Sequence, residues 1–197
     1  MTAIIILAAG TSSRLGEPKQ TLRYRDESLL KHSIKAAKDS DIGPVVVVIG
    51  ANEKEISAHI ENEAITVVYN EDFKEGLASS IKAGLTNLLD ADHGPDAVIL
   101  MVCDQPYVDG NLLQTLVRAK VATGKPIVAC AYKDTIGVPA LFDKSLFSEL
   151  LSLEGEEGGK KILYKHKESV ATIPFPAGDI DIDTASDYQA LLNSERK

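Results

Sequence analysis

Leu7-Ala8-Ala9-Gly10-Thr11-Ser12-Ser13-Arg14-Leu15-Gly16-Glu17-Pro18-Lys19 follows directly on Ala3-Ile4-Ile5-Ile6, and this junction decides the fold. The apolar run is short, β-branched and unbroken, which reads as a strand buried on both faces of a parallel sheet. The loop after it is built from small residues. Gly10 and Gly16 let the backbone take positive φ or approach a ligand closely. Thr11, Ser12 and Ser13 add hydroxyls, and Arg14 and Lys19 set two cations five residues apart. Free N–H groups in such a loop form a concave anion site, and the cations suit a triphosphate. The P-loop pattern does not fit, because Leu15 stands where its second Gly belongs. The pattern G-x-G-x-x-G fails at Ser12 and Leu15.

Outward from this junction, strand and helix patterns alternate. Strands are expected at residues 45–49, 65–69, 97–102 and 126–132, with a late strand at 169–173. Ser28 is a candidate cap for a helix over 28–39, and Asn52 for a helix running to Ile60. Further helices are expected over 77–88, 109–122, 144–151 and 158–166. The last runs from Thr184 to Leu192, with Thr184 as N-cap and Asp187 at N3 of a capping box. Gly137-Val138-Pro139-Ala140-Leu141-Phe142 reads as a short strand or a loop. This alternation predicts an α/β fold, a mainly parallel sheet covered by helices on both faces.

The 197 residues suffice for one α/β domain, and no repeat or linker divides 1–197. A net charge of −8 argues against nucleic acid and membrane surfaces as partners, since both favour a basic face. Cys103 and Cys130 lie in apolar runs with no CxxC pair, which fits a reducing cytoplasm. The first apolar run is too short to span a membrane and lacks the basic flank of a signal peptide. His32, His59, His93 and His166 are scattered without metal-ligand spacing, so no zinc site is expected.

In open parallel sheets, ligands bind beyond the carboxyl ends of the strands. Three segments fall there: the 8–19 loop, Asn70 to Ser80, and Cys103-Asp104-Gln105-Pro106. Asp104, directly after an apolar strand, is placed to hold Mg²⁺, which takes oxygen ligands and few from the protein. Asp179, Asp181 and Asp183 alternate with Ile180 and Ile182. An extended segment would put the three aspartates on one side and both isoleucines in the core. Gly76-Leu77-Ala78-Ser79-Ser80 opens a helix whose N–H groups and hydroxyls suit a base, ribose or phosphate.

These segments, in this order, resemble the MobA-like nucleotidyltransferases, and most closely their molybdenum cofactor cytidylyltransferase branch. The likeness rests on Leu7-Ala8-Ala9-Gly10-x-Ser12-x-Arg14-x-Gly16-x-Pro18-Lys19, Gly76 to Ile81, Cys103 to Pro106, Gly137 to Phe142 and Asp181-Ile182-Asp183-Thr184. It implies a three-layer Rossmann-like nucleotidyltransferase fold. It also implies transfer of CMP from CTP to the terminal phosphate of Mo-molybdopterin, releasing pyrophosphate. Implied nucleotide-binding residues are Leu7, Ala8, Ala9, Gly10, Thr11, Ser12, Ser13, Arg14, Gly16, Lys19, Asn70, Gly76, Ser79 and Ser80.

Lys19, Arg14 and Asp104 are the implied catalytic residues, with Mg²⁺ or Mn²⁺ on Asp104, Asp181 and Asp183. Gln105, Gly137, Pro139, Gly158 and Lys160 are implied on the acceptor side. A molybdenum hydroxylase or its maturation chaperone is the implied recipient. Ala9 stands where guanylyl relatives carry Gly, which favours cytidine. Val138 stands where the family often has His, and Glu156 and Lys160 replace its Asp and Arg. The alternatives are a guanylyltransferase of the same fold, a CTP-dependent transferase with another phosphate acceptor, and a non-catalytic cofactor-delivery protein.

Overall fold

The computed structural model describes residues 1–92 and 94–194, so His93 lies outside the described residues. Strands β1 (Thr2–Ala8), β4 (Val45–Ile49), β5 (Thr66–Tyr69), β6 (Ala97–Val102), β7 (Ile127–Tyr132), β8 (Thr135–Asp143) and β9 (Val170–Pro174) form one sheet in the order β5-β4-β1-β6-β8-β7-β9. A small ribbon, β2 (Arg23–Tyr24) with β3 (Glu27–Ser28), stands apart. The helices are α1 (Leu29–Asp39), α2 (Glu53–Ile60), α3 (Leu77–Leu89), α4 (Gly110–Thr123), α5 (Phe147–Leu151), α6 (Gly159–Lys165) and α7 (Ala185–Ser194). None is long and apolar enough to cross a membrane.

The three layers follow from alternation along β1. Ile4, Ile6 and Ala8 join one core with Leu30 and Ile34 of α1, Ile56 and Ile60 of α2, and Leu113 and Leu116 of α4. Ala3, Ile5 and Leu7 join the opposite core with Ile81 and Leu85 of α3, Leu150 of α5 and Ile162 of α6. Successive side chains of a strand point to opposite faces, so a continuous apolar run serves both. The pairs β1–β4, β1–β6, β4–β5 and β7–β9 are parallel.

The segment read as a short strand or loop is β8, nine residues long and antiparallel to both β6 and β7. Its register jumps from Ala129↔Ala140 to Cys130↔Gly137. Val138 and Pro139 therefore sit in a bulge, where the missing Pro N–H costs the ladder nothing. Pro139 is what hides this strand from a reading by pattern.

Ser28 and Asp109 cap α1 and α4 through their side chains, accepting from Lys31 N and Leu112 N. Asn52 is left-handed and makes no side-chain cap. At α7 the capping box forms: Asp187 accepts from the N–H and hydroxyl of Thr184, and Thr184 Oγ1 accepts from Asp187 N. A third, smaller core joins Leu191 of α7 and Ile182 to Leu22, Tyr24 and Leu29, with Leu15 against it. The C-terminal helix thus clamps residues 181–183 onto the opening loop.

The expected alternation of residues 179–183 is only half realised. Ile182 is buried, but Ile180 is exposed, and Asp179 turns away to pair with Lys133. The main-chain N–H of Ile182 bonds Asp104 O at 3.0 Å, which ties this stretch to the end of β6.

Candidate active site

A cleft of about 660 Å³ opens at the carboxyl ends of β1 and β6. Leu7, Ala8, Ala9, Gly10, Thr11, Arg14 and Lys19 line one wall. Cys103 and Asp104 line its floor, with Gly76, Leu77 and Ser80 from the start of α3 opposite. Val102, Phe73, Lys74, Gln20 and Glu156 complete it.

The charged end is built from three elements. Lys19 Nζ donates to Asp104 Oδ2 at 2.5 Å and to Asp183 Oδ1 at 3.0 Å. Arg14 donates to Asp183 Oδ2 at 2.8 Å. Burial acts to lower the Lys19 pKa, but the charges and hydrogen bonds of Asp104 and Asp183 outweigh it and the net shift is upward. Asp183 is held below the usual carboxylate range because the two cations overcome its burial. Asp181 is pushed up, by burial first and then by Asp183 and Asp104. Lys19 is therefore a permanent cation shared by two carboxylates, Asp104 and Asp183, with Asp181 near enough to feel both. Burial and the neighbouring Asp104 push the Cys103 thiol up to about 12, so it stays neutral and is no nucleophile.

The set fits a divalent ion. Asp104 Oδ1 is buried with no hydrogen-bond partner, which is costly unless a ligand satisfies it. No three His, Cys, Asp or Glu side chains among the described residues close into a cage. An ion here would take one or two carboxylates and complete its shell with water and phosphate, as Mg²⁺ prefers.

Gly16 takes φ +84°, so its freedom is used. Gly10 has no positive φ, and a Cβ there would meet nothing within 4 Å. Its open side is the cleft itself. Gly76 is the reverse case: φ is +106° and a Cβ would fall on the Gly155 carbonyl. That carbonyl also accepts from Ala78 N at 3.0 Å, so the 154–158 turn caps the start of α3. Gly76→Ala is expected to cost about 2 kcal/mol, lowering Tm by roughly 4–8 °C. Gly10→Ala should melt with the parent. Equal melting of both variants would contradict this account of the two glycines.

The structure does not bring every expected residue into the cleft. The hydroxyl of Ser12 is spent inside the loop, accepting from Lys19 N at 3.0 Å. Ser13 and Gly16 lie outside the lining. The Asn70 amide donates to Ser79 Oγ at 2.8 Å and Ser80 Oγ at 3.0 Å. Of these three, only Ser80 reaches the cleft, while Asn70 and Ser79 border a separate groove beside α3. Gln105 is buried with its amide on Gly178 O at 2.8 Å. Gly137 and Pro139 are buried in β8. Gly158 packs against Leu77, and Lys160 stands over the Tyr164 ring on α6. Phe73 and Lys74 fall inside the expected Asn70–Ser80 segment but carry no individual signal, and Gln20 lies just past the expected loop. Phe73 and Lys74 sit in a 3₁₀ turn that no periodicity marks, and Gln20 looks like any polar loop residue.

The model of the MobA-like NTP transferase domain matches residues 4–170. Nicotine blue oxidoreductase of Paenarthrobacter nicotinovorans is 28% identical over 201 residues, 95% of each chain. Molybdenum cofactor cytidylyltransferase of Escherichia coli K12 is 36% identical over 88 residues, 43% of this chain and 45% of that one. Among solved structures, Rv0371c of Mycobacterium tuberculosis H37Rv superposes with a TM-score of 0.86 at 30% identity, covering 98% of this chain and 97% of the other. A structure of Rv0371c in complex with manganese matches at 27% identity, with a TM-score of 0.81 over 98% of each chain.

Proposed function

The chain belongs to the MobA-like NTP transferase family, and from that premise we propose that it is a metal-dependent cytidylyltransferase moving CMP from CTP to the terminal phosphate of Mo-molybdopterin. The observation that carries this reading is the cluster of Lys19, Asp104 and Asp183 at one end of a cleft walled by a backbone-rich loop. The partial likeness to the Escherichia coli cytidylyltransferase supports the choice of base and acceptor.

Nucleotidyl transfer asks for in-line positioning and for neutralisation of charge, and for little covalent chemistry from the protein. The attacking phosphate oxygen is already ionised, so no general base is required. The N–H groups of the 9–13 loop and Arg14 hold the β- and γ-phosphates. Lys19 holds the α-phosphate, where its fixed positive charge counts most as charge builds. Ala8, Ala9, Phe73 and Leu77 form the apolar end that receives the base and ribose. Asp104 and Asp183, with Asp181 beside them, would hold a divalent ion, which supplies charge neutralisation to the phosphates.

Calorimetric titration of CTP, GTP, ATP and UTP with Mg²⁺ present is expected to show selective CTP binding. Selective GTP binding would move the reading to the guanylyl branch. A relative matched over 95% of both chains is named an oxidoreductase, so NADH and NADPH belong in the same titration. Either of them binding in place of CTP would replace transfer with redox chemistry.

A further inference from the structure

We propose that Gln20 is the positioning residue that turns the N–H groups of the opening loop toward the phosphates, a role that rests on the nucleotidyl reading of the cleft. Gln20 follows the cation Lys19 and is fully buried in the middle of a 3₁₀ turn, Lys19–Thr21. Its Nε2 donates to Ala8 O at 2.7 Å and to Gly10 O at 3.1 Å. Its Oε1 accepts from Ser12 Oγ at 3.4 Å. One side chain therefore spends its whole amide on three consecutive alternate residues of the loop.

The consequence comes from peptide geometry. In a planar trans peptide, a carbonyl and the next N–H point to opposite sides. Holding the carbonyls of Ala8 and Gly10 inward on Gln20 directs the N–H groups of Ala9 and Thr11 the other way. Ala8, Ala9, Gly10 and Thr11 all line the cleft. No hydrogen bond from Thr11 N appears among the described residues. Unbonded, the same carbonyls would be free to face the cleft, where their negative ends repel phosphate oxygens. Gly10, with no Cβ to resist rotation, makes that flip easy, so something else must fix the plane. Ser12 extends the link to the cation: its Oγ bonds both Gln20 and the main-chain N–H of Lys19. Gln20 thus sets the loop N–H groups and the root of Lys19 together, acting through the main chain with its own amide already occupied.

The test uses Gln20→Met, which keeps length and burial but removes every hydrogen bond, with CTP and inorganic tripolyphosphate as probes in the presence of Mg²⁺. The expected result is a loss of at least tenfold in affinity for both probes, measured well below the melting temperature. Leu116→Val, in the core under α4, serves as a stability control and should bind both probes as the parent does. A general loss of stability would weaken binding in both variants alike. In turnover, KM for CTP should rise more than kcat falls, because Lys19 itself remains.

If Gln20→Met fails to fold, Thr11→Pro carries the same question, since it deletes one of the N–H groups concerned and leaves Gln20 intact. A folded Gln20→Met, or a Thr11→Pro, that binds tripolyphosphate within twofold of the parent overturns the proposal. A parent protein that binds neither probe overturns the nucleotidyl reading itself, and with it this role.

Discussion

Lys19→Ala is expected to lower kcat for nucleotidyl transfer by roughly 10²–10³-fold, the loss typical of one fixed donor removed from a developing negative charge. Lys19 is placed for this. Its ammonium is mostly buried, held at 2.5 Å from Asp104 and 3.0 Å from Asp183, and its pKa is shifted upward, so its charge does not titrate away at working pH. The substitution has a second, opposite effect. Without the ammonium, Asp104, Asp183 and Asp181 face one another with only Arg14 to offset them. That costs about 1–3 kcal/mol, less than breaking a fully buried pair.

A divalent ion supplies the missing charge, so Mg²⁺ or Mn²⁺ should raise the Tm of Lys19→Ala more than that of the parent. Steady-state kinetics and melting curves with and without metal read both effects. Undiminished turnover would remove Lys19 from the catalytic account. An equal metal effect on the two proteins would place the ion elsewhere.

Asp104→Asn should lower turnover by roughly 10²-fold or more, matching the several kcal/mol that metal charge neutralisation supplies. The amide keeps the size of the side chain but gives a poor ligand for a hard cation. In the parent, Oδ1 of Asp104 is buried and unpartnered while Oδ2 binds Lys19, so one carboxylate serves the ion and the cation together. Removing its charge also leaves burial to lower the Lys19 pKa against Asp183 alone, and the alkaline limb of the pH–rate profile should move down. Manganese binding followed by paramagnetic resonance gives an independent readout. Normal metal affinity in Asp104→Asn would shift the site to Asp181 and Asp183.

The two predictions share a consequence for binding order. Arg14 and Lys19 are both paired with aspartates, so a bare triphosphate meets carboxylates as well as cations. Lys74 lines the cleft with no ion pair among the described residues. Metal and nucleotide should therefore bind synergistically, each opening the pairs that hinder the other.

The layers of the fold were legible because their cause is local. β1, β4 and β6 are unbroken apolar runs, and a strand buried on both faces needs that composition. The helices show in their period, and the capping box of α7 in Thr184 and Asp187. The opening loop was legible for the same reason: small residues and two cations after a buried strand have few other uses. The central place of β8 was not, since Pro139 argues against a strand until a bulge removes it from the ladder. The fate of polar side chains was not either. Gln20, Asn70 and Gln105 look alike in sequence, yet one faces the opening loop, one ties two serines and one is locked on Gly178.

The sequence by itself determined the α/β layering and the family, and named Arg14, Lys19 and Asp104 as candidates. Only the tertiary structure decided that Asp183 pairs with both Arg14 and Lys19 while Ile180 stays exposed, and that Ser80 reaches the cleft while Asn70 and Ser79 do not. Composition and period act between near neighbours. A site made of residues 14, 19, 104 and 183 depends on where β1 and β6 end and where α7 begins, and that is settled by packing across the whole chain.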